Sequence, residues 1–257
     1  MDAGDQGKPA RIREMFGRIV PRYDTVNSLM TLGLDARWRR ETVAMAQPRG
    51  ADALDIATGT GELAFEMVRQ GARMVSGVDF CLAMVQVAQR KRVAASISGR
   101  LSFATGDAMA LPFHDNTFDC IVNGFMLRNV ADLPTTFAEM ERVLRPGGRL
   151  VCLDLTPPRG PMKPFFKWYI ALWVPLLGVV VGRDYAAYRY LFQSLSIHPD
   201  ADRVAEMMRH AGFGEVSYTL SGFNTVALHR GVKPAAQTSD VRGANQSSGI
   251  PQSSTAH

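Results

Sequence analysis

From Arg11 to Ala46 the apolar residues Phe16, Ile19, Val20, Leu29, Leu32, Leu34, Trp38, Val43 and Met45 recur at helical spacing, broken by Pro21 and Gly33. Two or three short helices are expected there. The period then changes. Apolar runs bounded by turn residues predict strands at 52–57, 73–79, 100–105, 118–124, 149–155, 214–220 and 224–230. Amphipathic stretches predict helices at 61–70, 81–95, 133–144, 164–180, 184–196 and 200–211. Alternating strands and helices build an α/β fold: a doubly wound, mostly parallel sheet with helices on both faces and its ligand beyond the carboxyl ends of the strands. The last two strands break the alternation. Ser221-Gly222-Phe223 is short enough to close a hairpin, which puts an antiparallel last strand on a seven-stranded sheet.

Residues 168–182 are the most apolar segment, about fifteen residues with Pro175 inside, where a spanning helix needs roughly 20. The segment reads either as a buried helix over the sheet or as a greasy helical lid that takes a lipid tail or touches a membrane surface. Trp168, Tyr169 and Trp173 beside Lys163 and Lys167 favour the second reading. The expected organisation is a flexible start at 1–10, a single domain over 11–233 with the lid inserted at about 157–199, and a disordered tail at 234–257. That tail is rich in Ala, Gln, Ser, Thr and Gly and nearly free of large apolar side chains.

Composition narrows the class. At 257 residues, 46% hydrophobic and 21% charged, the chain has ample material for one α/β domain with additions. Cys81, Cys120 and Cys152 form no Cys-x-x-Cys pair and the histidines lack zinc-ligand spacing, so a reducing compartment and no structural metal are expected. Residues 1–9 lack the apolar core of a secretory signal, which points to the cytoplasm. The net charge of +5 and pI near 9.3 admit nucleic acid or an anionic membrane face as partners. Arg37, Arg39 and Arg40 cluster, yet basic and aromatic residues do not interleave as in single-strand binders, so nucleic acid is not expected.

The chemistry concentrates in Leu54-Asp55-Ile56-Ala57-Thr58-Gly59-Thr60-Gly61-Glu62-Leu63-Ala64, which reads as buried strand, glycine turn and helix start. Gly59 and Gly61 allow positive φ and close approach of backbone to a ligand, and the helix start offers unpaired N–H groups to an anion. By itself the loop does not separate a nicotinamide dinucleotide from S-adenosylmethionine. Met74-Val75-Ser76-Gly77-Val78-Asp79 then ends in an acid suited to ribose hydroxyls, although an aspartate there also caps helices. Asp107, at the end of the third strand, can accept from an adenine amino group while Ala108 and Met109 pack beside the ring. Asn123, Arg128 and Asn129 interrupt an apolar run at the end of the fourth strand, and Asp154 ends the fifth. Arg145-Pro146-Gly147-Gly148-Arg149 reads as an architectural tight turn before that strand.

Together the glycine loop, the acid at 79, the Asp107–Phe113 stretch, the Leu-Arg-Pro-Gly-Gly turn and the closing hairpin resemble a Rossmann-like class I S-adenosylmethionine-dependent methyltransferase. Finer matches are Tyr23-Asp24 followed by Asn27, Trp38-Arg39, Asp115 to Asp119, Leu127-Arg128-Asn129-Val130, Tyr188 to Leu191, His198-Pro199 and Ala227 to Gly231. These are similar to the C-methyltransferases of menaquinone and ubiquinone biosynthesis, over about residues 11–233.

The resemblance implies a cofactor site around Asp55, Gly59, Thr60, Gly61, Asp79, Asp107 and Ala108. Its last position is Gly124, where relatives often carry serine. The implied acceptor is a ring carbon of a polyprenylated quinol, with a naphthoquinol favoured over a benzoquinol. Such a ring is a weak nucleophile until a hydroxyl ionises, and Arg128 with Asn129 can hold the phenolate. Asp154, His198 and Tyr23 are the candidate general bases. The implied setting is the inner membrane face, with a homodimer allowed. Methylation of another small molecule on oxygen or nitrogen, a nicotinamide oxidoreductase and a non-catalytic cofactor-binding partner are the competing readings.

Overall fold

A computed structural model describes residues 17, 20–97, 99–157 and 198–235. The helices expected at 164–180 and 184–196, the lid, the flexible start, the tail and the Tyr188–Leu191 match lie outside the described residues. A 3₁₀ turn at Val20–Arg22 leads into α1 (Tyr23–Met30) and α2 (Leu34–Ala46). The sheet then alternates as β1 (Asp52–Ile56), α3 (Glu62–Arg69), β2 (Met74–Asp79), α4 (Leu82–Ala94), β3 (Leu101–Thr105) and β4 (Phe118–Gly124). A 3₁₀ turn at Leu127–Asn129, α5 (Leu133–Val143) and β5 (Leu144–Leu155) follow, and α6 (Ala201–His210), β6 (Gly214–Ser221) and β7 (Val226–Val232) close the described chain.

Strand order is β3-β2-β1-β4-β5-β7-β6, parallel except for β7, which pairs antiparallel with both β5 and β6. The last strand in sequence therefore slots between its two neighbours. Period-two alternation along the strands sorts two cores. Leu54, Ile56, Ile121 and Leu150 face α5 and α6 through Phe137, Met140, Val204 and Met208. Ala53, Val75, Val122 and Val151 face α2, α3 and α4 through Val43, Met67 and Val85. Because β1 neighbours both β2 and β4, the chain order reverses there and leaves a crevice at the strand tips.

The largest boundary difference from the sequence expectation is at the start of β5. The Arg145-Pro146-Gly147-Gly148 segment lies inside β5, not ahead of it. Gly147 has φ +78 and donates to the Lys233 carbonyl, while Lys233 donates back to Gly148. The β4–β5 register shifts across this stretch, so the residues form a bulge paired to the end of β7.

Candidate active site

The strand tips of β1, β2, β3 and β4 surround a cavity of about 360 Å³. Tyr23, Gly59, Asp79, Asp107, Ala108, Gly124 and Asn129 line it, and Phe80, Met84, Met109, Phe125 and Met126 add apolar wall. Asp79 is 6% exposed, and its two oxygens each accept one backbone N–H at 2.8 Å, from Gly59 and from Cys81. Burial pushes its carboxyl above the ordinary range, against the pull of those two bonds. Each oxygen keeps a lone pair, so a diol has acceptors on the cavity wall. Asp107 is exposed and accepts from the Met109 N–H at 2.9 Å through one oxygen. Gly59 has φ +56, a left-handed backbone that glycine adopts freely.

Gly61 and Thr60 of the glycine loop and Asp55 of β1 have different surroundings. A Cβ on Gly61 would sit 2.9 Å from both the Phe103 and Phe65 rings, so this glycine serves loop packing and not the cavity wall. The Thr60 hydroxyl is buried and donates to Asp24 Oδ1 on α1 at 2.6 Å. Asp55 is fully buried on the α3 side of β1, where Oδ2 accepts from Thr58 Oγ1 at 2.6 Å and from the Ala64 N–H at 3.1 Å.

Burial pushes the Asp55 carboxyl up to about 7, with Thr58 and Ala64 opposing and nearby Asp79 adding to the rise. Oδ1 has no hydrogen-bond partner, which leaves the ionised form under-solvated. The folded chain thus holds this proton more tightly than the unfolded chain, whose carboxyl titrates near 3.8. Unfolding releases the proton between those two values, so stability is lost as pH rises from about 4 to about 7 and the cost persists above. The expected loss is on the order of 4 kcal/mol. Asp55→Asn should flatten this part of the curve, read as Tm against pH for both proteins. Parallel curves would refute the assignment.

Off the cavity lining, Arg128 Nη1 meets Asp154 Oδ1 at 2.7 Å, with the two side chains 9% and 3% exposed. Asp154 also accepts from the Leu127 N–H at 2.7 Å and the Leu155 N–H at 2.8 Å. Those bonds fill both lone pairs of Oδ1 and one of Oδ2. The Arg128 guanidinium lies 5.8 Å from the Phe125 ring centroid, and its Nε is buried without a hydrogen-bond partner. Phe125 itself has φ +57, an uncommon backbone for a bulky residue. Asn129 Nδ2 ties down the Phe125 carbonyl at 3.1 Å and the Phe125 N–H donates to Leu153 at 2.6 Å, which holds the strained residue in place.

Tyr23 lines the cavity, and burial raises its phenol above the ordinary value while Arg128 and Asn27 lower it. At neutral pH it is a hydrogen-bond donor. His198 is buried, its Nδ1 is unpartnered, and burial lowers its pKa against the pull of Asp154. The imidazole is therefore neutral near pH 7. Arg128, Asp154 and His198 form one buried group, behind the cavity surface that Tyr23 and Asn129 reach.

A model of the ubiE/COQ5 methyltransferase family matches residues 5–233. The chain belongs to this family. A demethylmenaquinone methyltransferase from Roseiflexus castenholzii is 44% identical over 230 residues, covering 88% of this chain and 94% of the relative. A ubiquinone/menaquinone biosynthesis C-methyltransferase UbiE from Desulfotalea psychrophila is 43% identical over 225 residues, with 86% and 90% covered. Among solved structures, an Aquifex aeolicus SAM-dependent methyltransferase superposes with TM-score 0.59 at 16% identity, covering 82% of this chain and 97% of that one. A Haemonchus contortus phosphoethanolamine N-methyltransferase 2 bound to S-adenosyl-L-methionine gives 0.58 at 17%, with 79% and 57% covered. The structural neighbours share the fold, a Rossmann-like methyltransferase sheet.

Eight of the sequence candidates, Met109 among them, line the cavity, while Asp55, Thr60, Gly61, Asn123, Arg128, Asp154 and His198 do not. Sequence reasoning missed Phe80, Met84, Phe125 and Met126. Phe80 and Phe125 directly follow Asp79 and Gly124, so the rule that strand tips face the ligand would have reached them. Among the described residues no group of three or more His, Cys, Asp and Glu is placed to hold a metal.

Proposed function

We propose that this chain transfers a methyl group from S-adenosylmethionine to a ring carbon of a polyprenylated demethylmenaquinol, yielding the menaquinol. The observation that carries the reading is one cavity whose lining joins two carboxylates, Asp79 and Asp107, to apolar Phe80, Met84, Phe125 and Met126, with the buried Arg128–Asp154 pair beyond Phe125. The residues fit the cofactor by their chemistry. Asp79 keeps free lone pairs for the ribose diol, Asp107 keeps an oxygen for the adenine amino group, and Ala108, Met109 and Met84 flank the ring.

When bound, the cofactor supplies an electrophilic methyl carbon. In-line displacement needs alignment more than acid–base power, and rigid strand tips provide it. Arg128, held by Asp154 in a dry setting, lowers the energy of negative charge on the quinol oxygen. Tyr23 donates a hydrogen bond to the same oxygen or to water beside it, and Asn129 keeps Phe125 against the ring. Names carried by relatives at 44% and 42% identity support the naphthoquinol, while that at 43% allows a benzoquinol as well.

Incubation with isotopically labelled cofactor and a reduced short-chain demethylmenaquinone should give one ring-methylated product by mass spectrometry. Methyl on a quinol oxygen, or no product, would overturn the reading. Association with an anionic bilayer face belongs to the same proposal, since the acceptor's tail is lipid and the net charge is +5. No described helix is long and apolar enough to cross a membrane. Flotation with anionic vesicles at low salt should carry the protein upward, and sedimentation velocity reads whether it pairs as a homodimer.

A further inference from the structure

Helix α1 covers the glycine loop with little of its surface buried. Among its eight residues only Val26 is buried, and its amphipathic face packs on a preceding turn where Val20 meets Cys81, Met84 and Tyr23. An element so thinly packed opens at low free-energy cost. What ties it down is polar. Asp24, the residue after cavity-lining Tyr23, accepts the Thr60 hydroxyl at 2.6 Å through one oxygen and the Lys91 ammonium at 2.8 Å through the other. Lys91 reaches across from α4 and also bonds Glu62, the first residue of α3, at 2.7 Å. A cation beside a helix start opposes the helix dipole, so Lys91 is placed there by its two carboxylates and not by the backbone.

We propose that Asp24 and Lys91 are positioning residues: with Thr60 and Glu62 they clasp α1 onto the glycine loop and hold Tyr23 against Gly59, so that the cofactor site is preformed. The inference rests on the cofactor reading above and adds the device that keeps its cover shut. An ideal Cβ on Gly59 would come within 4.0 Å of the Tyr23 ring, which shows how closely the clasped helix approaches the loop. The three charged side chains are each about one-third exposed (Asp24 37%, Lys91 34%, Glu62 36%), so salt reaches them and weakens them in part. Although burial draws the Lys91 pKa down, Asp24 and Glu62 outweigh it and hold it above the ordinary value. Lys91 stays charged across the physiological range.

If breaking the clasp leaves about one molecule in ten with α1 in place, apparent cofactor affinity falls about tenfold, because affinity scales with the competent fraction. Lys91→Met is the direct variant and Lys91→Arg the conservative rescue. Two measurements separate this inference from the cofactor reading. Amide hydrogen exchange over residues 20–30 needs no ligand: Lys91→Met should exchange faster there and match wild type in β1 and β4, while Lys91→Arg should recover protection. Calorimetry with S-adenosylmethionine should then show the tenfold loss, a flatter dependence of Kd on KCl than wild type, and turnover at saturation within about twofold. Unchanged exchange in α1 would overturn the clasp whether or not the cofactor binds. Faster exchange throughout the sheet would overturn it too, since Lys91 would then be supporting the fold at large. No binding by wild-type protein would sink the cofactor reading and leave the exchange result to judge the clasp.

Discussion

Asp79→Ala should lower affinity for S-adenosylmethionine by at least about a hundredfold, corresponding to about 3 kcal/mol. The carboxylate is buried at the tip of β2, and its spare lone pairs are the acceptors offered to a ribose diol. Hydrogen bonds to an ionised group contribute roughly 1.5–3 kcal/mol each, so losing two reaches the expected figure. Alanine also strands the Gly59 N–H, loosening the loop that approaches the ligand. Asp79→Asn separates the two effects, since an amide oxygen still accepts from Gly59 but the charge is gone. Titration calorimetry on both variants, with Tm as the folding control, decides. A Kd within threefold of wild type in Asp79→Ala would remove Asp79 from the site.

Arg128→Ala should slow the chemical step by about a hundred- to a thousandfold, the range seen when one preorganised donor to a developing oxyanion is removed. Cofactor affinity should stay within about threefold, because Arg128 is absent from the cavity lining that carries Asp79 and Asp107. The fold will also suffer. Removing the guanidinium leaves Asp154, 3% exposed, with only two backbone N–H donors, and breaking a buried pair costs about 3–5 kcal/mol. The double variant Arg128→Met with Asp154→Asn removes both charges, keeps an amide oxygen for the backbone N–H donors, and should recover part of the Tm while remaining inactive. Single-turnover rates at saturating cofactor, with Tm, test the assignment. Collapse of cofactor binding with normal turnover at saturation would show that Arg128 acts on the wrong half of the site.

The strands and helices within the described residues were legible because burial imprints a period. Leu54 and Ile56 face one core and Ala53 the other, and α3 repeats Leu63, Met67 along one face. The cavity's acids were legible too, since a glycine turn and strand-terminal acids sit at fixed places in a doubly wound sheet. Asp79 and Asp107 line the cavity as that rule expects. The start of β5 was not legible, because proline and glycines locally mark a turn and only pairing of Gly147 and Gly148 with Lys233 makes the segment a strand.

Local order along the chain determined the α/β architecture, the antiparallel hairpin, the glycine loop and the candidate acids, all of which depend on backbone conformation and apolar period within a few residues. Partner choice belonged to the tertiary structure. Thr60 stands 36 positions from Asp24, Lys91 stands 67 from it, and Arg128 stands 26 from Asp154. A hydroxyl or charge can meet any complementary group that folding brings within 3 Å, and neither periodicity nor spacing encodes which one arrives. Thr60 was therefore read as a ligand contact and is seen bonded to α1, and Arg128 and Asp154 were read as separate candidates and are seen as one buried pair.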